Sequence, residues 1–315
     1  MENIQTILSL DGAAEDVSRR EANVKHFCLD GNRRQAISYS ANVHFRDAHG
    51  RWADIDNTLE SVIVGGREML RNRANAVSML LPRRMNAGSE VSISRNGKTF
   101  SWRFEQANGG DARVFTGAEL KKLRLAHLAQ KLPRYVGRTL ESLLNANLAE
   151  ELETPVESRM APMLLCSEAR YEQICPGVSV RYSLNGERLK EDILLDNADA
   201  LNRVVIRLSD AFDYRVSEDG ELLVCDRETG EIEFMMGVPI VYDANDRFTR
   251  AQVQLEDGVR MRYELDAEWL NAAAFPVTID PVVITKVEDE AIEDAYIWKK
   301  YADSNFGKAH LMRCG

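Results

Sequence analysis

No stretch of the chain approaches the roughly eighteen consecutive apolar residues that a helical membrane span requires, so no such span is expected. The N-terminus, Met1 to Leu10, lacks the basic-then-apolar order of a secretory signal peptide, and no export signal is visible in this chain. Cysteine is scarce. Cys28, Cys166, Cys175, Cys225 and Cys314 are odd in number and scattered, unlike a disulfide framework. A loop-spanning Cys166–Cys175 pair is conceivable, but reduced thiols are the expectation. Basic residues are outnumbered, 40 Lys and Arg against 50 Asp and Glu, for a formal charge of -10. That balance argues against nucleic acid as a partner, because phosphate binding draws on clustered Lys and Arg. The chain also lacks a Gly-x-Ser-x-Gly elbow, a phosphate-cradling glycine loop, a His-Glu-x-x-His helix and a Gly-x-Gly-x-x-Gly fingerprint. From these absences no catalytic residue, metal-ligand set or cofactor is assigned, the ligand-binding residues are unknown, and the chain is read as a non-enzyme.

What is present is ordinary globular material: 44% hydrophobic and 29% charged residues over 315, room for about two domains. The dominant pattern is alternation. Phe27 and Leu29, Ile37 and Tyr39, and Val43 and Phe45 recur at period two, broken by Asp30-Gly31 and His49-Gly50. The clearest hairpin runs from Val91 to Phe104, where Asn96-Gly97 supplies the positive φ values of a type I′ turn and Phe100, Trp102 and Phe104 share one face. A second meander is expected from Asn202 to Leu265, turning at Asp219-Gly220, Thr229-Gly230 and Asp257-Gly258. Between them the period changes. Thr116-Gly117-Ala118-Glu119 has the spacing of a capping box, and Leu120, Leu123 and Leu128, then Leu140, Leu143, Leu144, Leu148 and Leu152, fall at helical steps. An acidic, proline-marked linker follows, Glu150 to Pro162.

The predicted fold is therefore mainly β: antiparallel, β-sandwich-like sheets with an inserted helical segment. Residues 1–20 are read as a mobile arm. Residues 21–116 and 165–285 form the β-rich region, as one composite or two packed domains, and 117–164 cross over as helices and linker.

Candidate chemistry is thin. His26 and Cys28 share a strand face, with His44 and His49 close in sequence, but no second pair completes a tetrahedral zinc set. Asp47 to Asn57 superficially resembles a calcium loop, yet the ligand register and terminal bidentate Glu are missing, so a turn followed by a strand is expected. Trp52, Trp102, Trp269 and Trp298 offer sugar-stacking surfaces if exposed, though Trp102 is in phase with Phe100 and Phe104 and is expected in the core. A glycan-active enzyme needs two acids facing each other across a cleft, which spacing alone cannot establish.

The order Val24-Lys25-His26-Phe27, Asp30-Gly31, Val43-His44-Phe45, Gly50-Arg51-Trp52 and Asp54-Ile55-Asp56-Asn57-Thr58-Leu59 resembles the N-terminal region of large bacterial secreted and surface proteins that carry a DNRLRE domain, often with RHS or YD repeats, of the WapA-like kind. Tyr182 with Leu189-Lys190-Glu191-Asp192-Ile193, Pro239 with Tyr242-Asp243-Ala244, and Trp269-Leu270 with Phe275-Pro276-Val277-Thr278-Ile279-Asp280-Pro281 match later landmarks. The resemblance covers about residues 21 to 315. It implies an extracellular or cell-surface location, downstream domains of the same polypeptide as partners, and a structural or adhesion role. Binding of cell-wall or surface polysaccharide is the alternative, and a glycan-active enzyme fragment the third. Residues 286–315, with Ile292 to Ile297 and Asn305-Phe306-Gly307, look like the opening of a DNRLRE-type β module, as in a piece of a longer reading frame.

Overall fold

Asn96 and Gly97 adopt φ of 51° and 79°, the left-handed geometry that both central residues of a type I′ turn require. The chain therefore folds back at once, and Phe100, Trp102 and Phe104 all point into the interior, no more than 1% exposed. The computed structural model describes residues 13–29, 34–39, 42–120, 122–123 and 165–285. The expected helices beyond Leu123, the acidic linker, Trp298, Cys314 and the segment from 286 onward lie outside the described residues.

Strands run in chain order as β1 Ala14–Glu15, β2 Val24–Cys28, β3 Arg34–Ser38, β4 His44–Arg46, β5 Trp52–Asp54, β6 Asp56–Val64, β7 Arg67–Ala74 and β8 Ser78–Pro82. They continue as β9 Val91–Arg95, β10 Lys98–Phe104, β11 Arg113–Thr116, β12 Cys166–Cys175, β13 Val178–Asn185, β14 Arg188–Leu195, β15 Val205–Leu208 and β16 Asp213–Val216. The last are β17 Leu222–Cys225, β18 Ile232–Met236, β19 Ile240–Tyr242, β20 Phe248–Arg250, β21 Gln252–Glu256, β22 Arg260–Glu264, β23 Val277–Asp280 and β24 Val282–Thr285. The protein is mainly β, and every strand pair described is antiparallel.

Two large sheets carry the fold. An eight-stranded sheet has the order β21-β22-β15-β10-β9-β8-β7-β6, and an eleven-stranded sheet runs β11-β12-β13-β14-β24-β18-β17-β16 with β19, β20 and β23 branching from it. Residues before 116 and after 165 contribute to both sheets. Trp102 of β10 lies opposite Leu208 of β15, and Val114 of β11 opposite Ala169 of β12. One main core results, filled from the first sheet by Met79, Ile93, Phe100 and Trp102 and from the second by Tyr171, Tyr182, Ile193 and Phe234, while Val43, Ile55 and Leu165 form a small cluster of their own. Phe100 packs 5.8 Å from Phe234 and edge-on to Phe212 at 6.4 Å, the tilted geometry aromatic rings prefer.

Two expectations change. The stretch from Asn202 to Leu265 is not one meander: β15, β21 and β22 join the first sheet while β16, β17 and β18 join the second, because strand partners are chosen by core burial and not by sequence adjacency. Residues 13–20, expected within a mobile arm, are tied down by β1 pairing with β2 and by the charges of Glu15 and Arg20. Cys166 and Cys175 are free thiols, as expected, and sit at opposite ends of β12, roughly 30 Å apart at the rise of a strand. The cap at Thr116 forms as expected, with Glu119 Oε2 accepting the Thr116 N–H at 2.8 Å as residues 117–120 begin a helix.

Candidate functional site

Among the described residues, three gatherings of polar side chains are candidates for a site. The first lies where β1, β2, β4 and β5 meet. Lys25 alternates in phase with Phe27 and so points inward, where a lone ammonium is costly to bury. Its charge is met by Asp54 and, at 3.5 Å, by Glu15. Arg20 forks onto both Glu15 oxygens at 2.7 and 3.0 Å and reaches Asp54 at 2.9 Å. His44, fully buried, approaches the Glu21 carbonyl with Nδ1 at 2.6 Å; a carbonyl only accepts, so Nδ1 carries the proton. Nε2 then faces Glu15 at 3.5 Å and Asp54 at 3.6 Å. Burial alone raises the Glu15 carboxyl, but His44, Arg20 and Lys25 outweigh it and hold the group well below the usual carboxylate range. Burial raises the Tyr39 hydroxyl, and the Glu15 and Asp54 charges push it further. The composition suits proton transfer, but each carboxylate is already claimed by a cation, so the arrangement fastens β1 and β2 onto the β4–β5 hairpin.

The second place is the core itself. Glu191 of β14 is fully buried between the sheets, where Trp102 Nε1 donates to its Oε2 at 2.8 Å and the Tyr182 hydroxyl donates to the same oxygen. Burial raises its pKa from the ordinary 4.5 to about 7 despite those two donors. Glu191 Oε1 and the Tyr263 hydroxyl are also buried and make no hydrogen bond. The neighbouring Asp192 faces the other side of the strand, where Arg181 Nε donates at 2.7 Å and Lys190 bridges it to Asp280.

The third is a groove of about 360 Å³ on the outer face of the eight-stranded sheet, lined by Glu90, Ser101, Arg103, Glu105, Arg207 and Asp210 among others. Its acids and arginines pair with one another, Arg103 with Glu90 and Arg207 with Asp210.

The residues singled out in the sequence are dispersed. His26 contacts Glu21 at 3.1 Å from the face of β2 opposite Lys25, His44 is enclosed, and His49 lies in an exposed turn. Among the described residues no group of three His, Cys, Asp or Glu is arranged to hold a metal ion. Trp102 is in the core, Trp52 is covered by the Arg46 guanidinium at 3.8 Å, and Trp269 packs partly buried against the core. Among the described residues the exposed aromatics are instead Phe248 and Tyr242, 66% and 37% exposed with ring centroids 6.5 Å apart.

Asp47 proves to be a turn residue. Its Oδ1 accepts the N–H groups of His49 and Arg51, and its Oδ2 takes the Arg51 side chain at 3.0 Å. Asp243 does the same for Asn245 and Arg247. The two loops, Asp47-Ala48-His49-Gly50-Arg51-Trp52 and Asp243-Ala244-Asn245-Asp246-Arg247-Phe248, are copies of one hairpin, with Gly50 and Asp246 at φ of 73° and 59°. Sequence reasoning missed the repeat, although the string Asp-Ala-x-x-Arg-aromatic was there to find it.

Comparison with known proteins gives a partial match. Residues 162–282 match a domain of unknown function, DUF7948. The tRNA(Glu)-specific nuclease WapA of Bacillus subtilis subsp. natto is 24% identical over 169 residues, 47% of this chain and 7% of that protein. The tRNA nuclease WapA of Bacillus subtilis strain 168 gives the same figures. The tRNA3(Ser)-specific nuclease WapA of Bacillus spizizenii is 22% identical over 153 residues, 44% of this chain and 6% of the relative. The similarity thus covers less than a tenth of each relative's length. No helix among the described residues is long and apolar enough to cross a membrane.

Proposed function

We propose that this β unit is a non-catalytic structural module of a large bacterial secreted or surface protein. The observation that carries the reading is the interleaving of two separated stretches into one core, with the charged groups of the enclosed cluster spent on holding strands together. Such a unit resists unfolding and positions what is attached to it. The match to a small part of the WapA proteins supports a place inside a much longer chain, and the landmarks shared with DNRLRE and RHS proteins support a surface location with a DNRLRE-type module from residue 286. The tRNA cleavage in the relatives' names belongs to those proteins as wholes.

The test is direct. Incubated with tRNA, the chain is expected to leave it intact, and antibody against the chain is expected to label the wall or medium fraction of the producing cells. Cleavage lost in His44→Ala, or label confined to the cytoplasm, overturns the reading.

A second role, binding surface polysaccharide, is favoured by the exposed Tyr242–Phe248 pair, since exposed aromatic rings offer stacking surface for sugars. Polysaccharide retention weakened by Phe248→Ala supports it; retention by neither form contradicts it.

A further inference from the structure

Arg103 of β10 and Arg207 of β15 stand directly opposite each other, and Arg260 of β22 stands opposite Arg207. All three side chains leave the same, outward face of the eight-stranded sheet, since the residues flanking them, Trp102, Phe104, Ile206, Leu208 and Met261, point into the core. Like charges directly opposed across a strand pair destabilise a sheet. The acids that offset this do so unevenly. Arg260 is gripped by Glu105 through two hydrogen bonds at 3.0 and 3.2 Å. Arg103 meets Glu90 at 3.4 Å and Arg207 meets Asp210 at 3.3 Å, both near the limit of a hydrogen bond and both at exposed partners. A guanidinium has five N–H donors in a fork that fits an oxyanion, and these two side chains commit little of that capacity. They converge on the groove of about 360 Å³.

We propose that this groove binds a hydroxylated oxyanion, the phosphate ester or carboxylate of a polyol or sugar. The oxyanion sits between Arg103 and Arg207, displacing the two weak contacts. Glu90 and Asp210, released from the arginines, accept hydrogen bonds from the ligand's hydroxyl groups. The same acids repel a bare anion, and a neutral sugar offers the guanidinium pair no opposite charge. Selectivity therefore requires both features in one molecule. The inference goes beyond the structural role and does not depend on it.

Isothermal titration of the full chain with glycerol 3-phosphate, glucuronate, inorganic phosphate and glucose tests it. At least one of the first two is expected to bind ten times more tightly than phosphate and glucose, and which one does so separates phosphate esters from carboxylates. Arg103→Gln and Arg207→Gln should each weaken that binding at least tenfold, whereas Arg84→Gln, which breaks the exposed pair with Asp111 outside the groove, leaves it unchanged. Removing one of two opposed charges should also leave the thermal midpoint at or above that of the unaltered protein. Absence of heat with both hydroxylated anions up to about 10 mM, a concentration that still reports weak sites, overturns the proposal. So does binding that survives both arginine substitutions.

Discussion

Trp102 Nε1 donates a 2.8 Å hydrogen bond to Glu191 Oε2 across the core, from one sheet to the other. Both residues occupy positions that strand alternation assigns to the interior, and only one of them is apolar. A buried carboxyl is tolerated there because two donors, Trp102 and Tyr182, converge on one of its oxygens. The pair ties the two sheets by direction as well as by area.

Trp102→Ala should destabilise the protein by about 3–5 kcal/mol, the cost of a large cavity in a core that cannot collapse. Trp102→Phe keeps most of the ring but removes the donor, and should cost about 1–3 kcal/mol for the carboxyl left short of a partner. Urea midpoints at unchanged slope measure both. A shift near zero in the alanine variant contradicts the burial.

Glu191 makes stability depend on pH in an unusual direction. Its folded-state value of about 7 lies above the ordinary 4.5, so the folded protein holds the proton more tightly than the unfolded chain. The stability it contributes is complete below about pH 4.5 and is lost as the pH rises to about 7, by about 3 kcal/mol at roughly 1.4 per pH unit. Glu15 acts oppositely: its lowered value gives stability present above the usual carboxylate range and lost on acidification. Comparing the unaltered protein with Glu191→Gln at each pH isolates the first effect. The variant should lack the decline between pH 4.5 and 7; parallel curves contradict the assignment.

Asn57 is a second tie between the sheets. Its side-chain amide donates to the Leu165 and Gly186 carbonyls at 2.8 Å each, while Asn72 and Asn75 donate to its oxygen. Asn57→Ala strands several buried partners at once and should cost about 2–4 kcal/mol in chemical denaturation. A cost below half a unit contradicts the tie.

The repeated hairpin supplies an internal control. The Asp47 side chain is 25% exposed, whereas that of Asp243 is fully buried and also accepts the Ala274 N–H at 3.2 Å. Asp47→Ala should cost about 1 kcal/mol and Asp243→Ala about 2–3 kcal/mol, since stranded buried donors are the larger penalty. Equal thermal shifts contradict this.

The strands were legible in the sequence wherever turn chemistry and alternation agreed. Asn96-Gly97 and Asp257-Gly258 both turn with positive φ, and the Thr116–Glu119 cap forms. What could not be read was partner choice. Glu191 falls in phase with Leu189 and Ile193, but what satisfies its carboxyl appears only when Trp102, 89 positions away, is placed beside it. Lys25 is likewise explained only once Asp54, on a different hairpin, and Glu15 of β1 are placed beside it. The split of residues 202–265 between two sheets has the same cause, because local pattern decides which face is apolar and leaves open which core receives it. The arginine row has no local signal either, since Arg103, Arg207 and Arg260 meet only through strand register.

Equilibrium unfolding in urea, followed in parallel by tryptophan fluorescence and far-ultraviolet circular dichroism, tests most directly whether the stretches 56–116 and 165–285 share one core. Coincident single transitions are predicted, because β10 cannot leave the interior without exposing β14 and β15. Two separated transitions, with fluorescence reporting one and the bulk of the strand signal the other, would contradict the account.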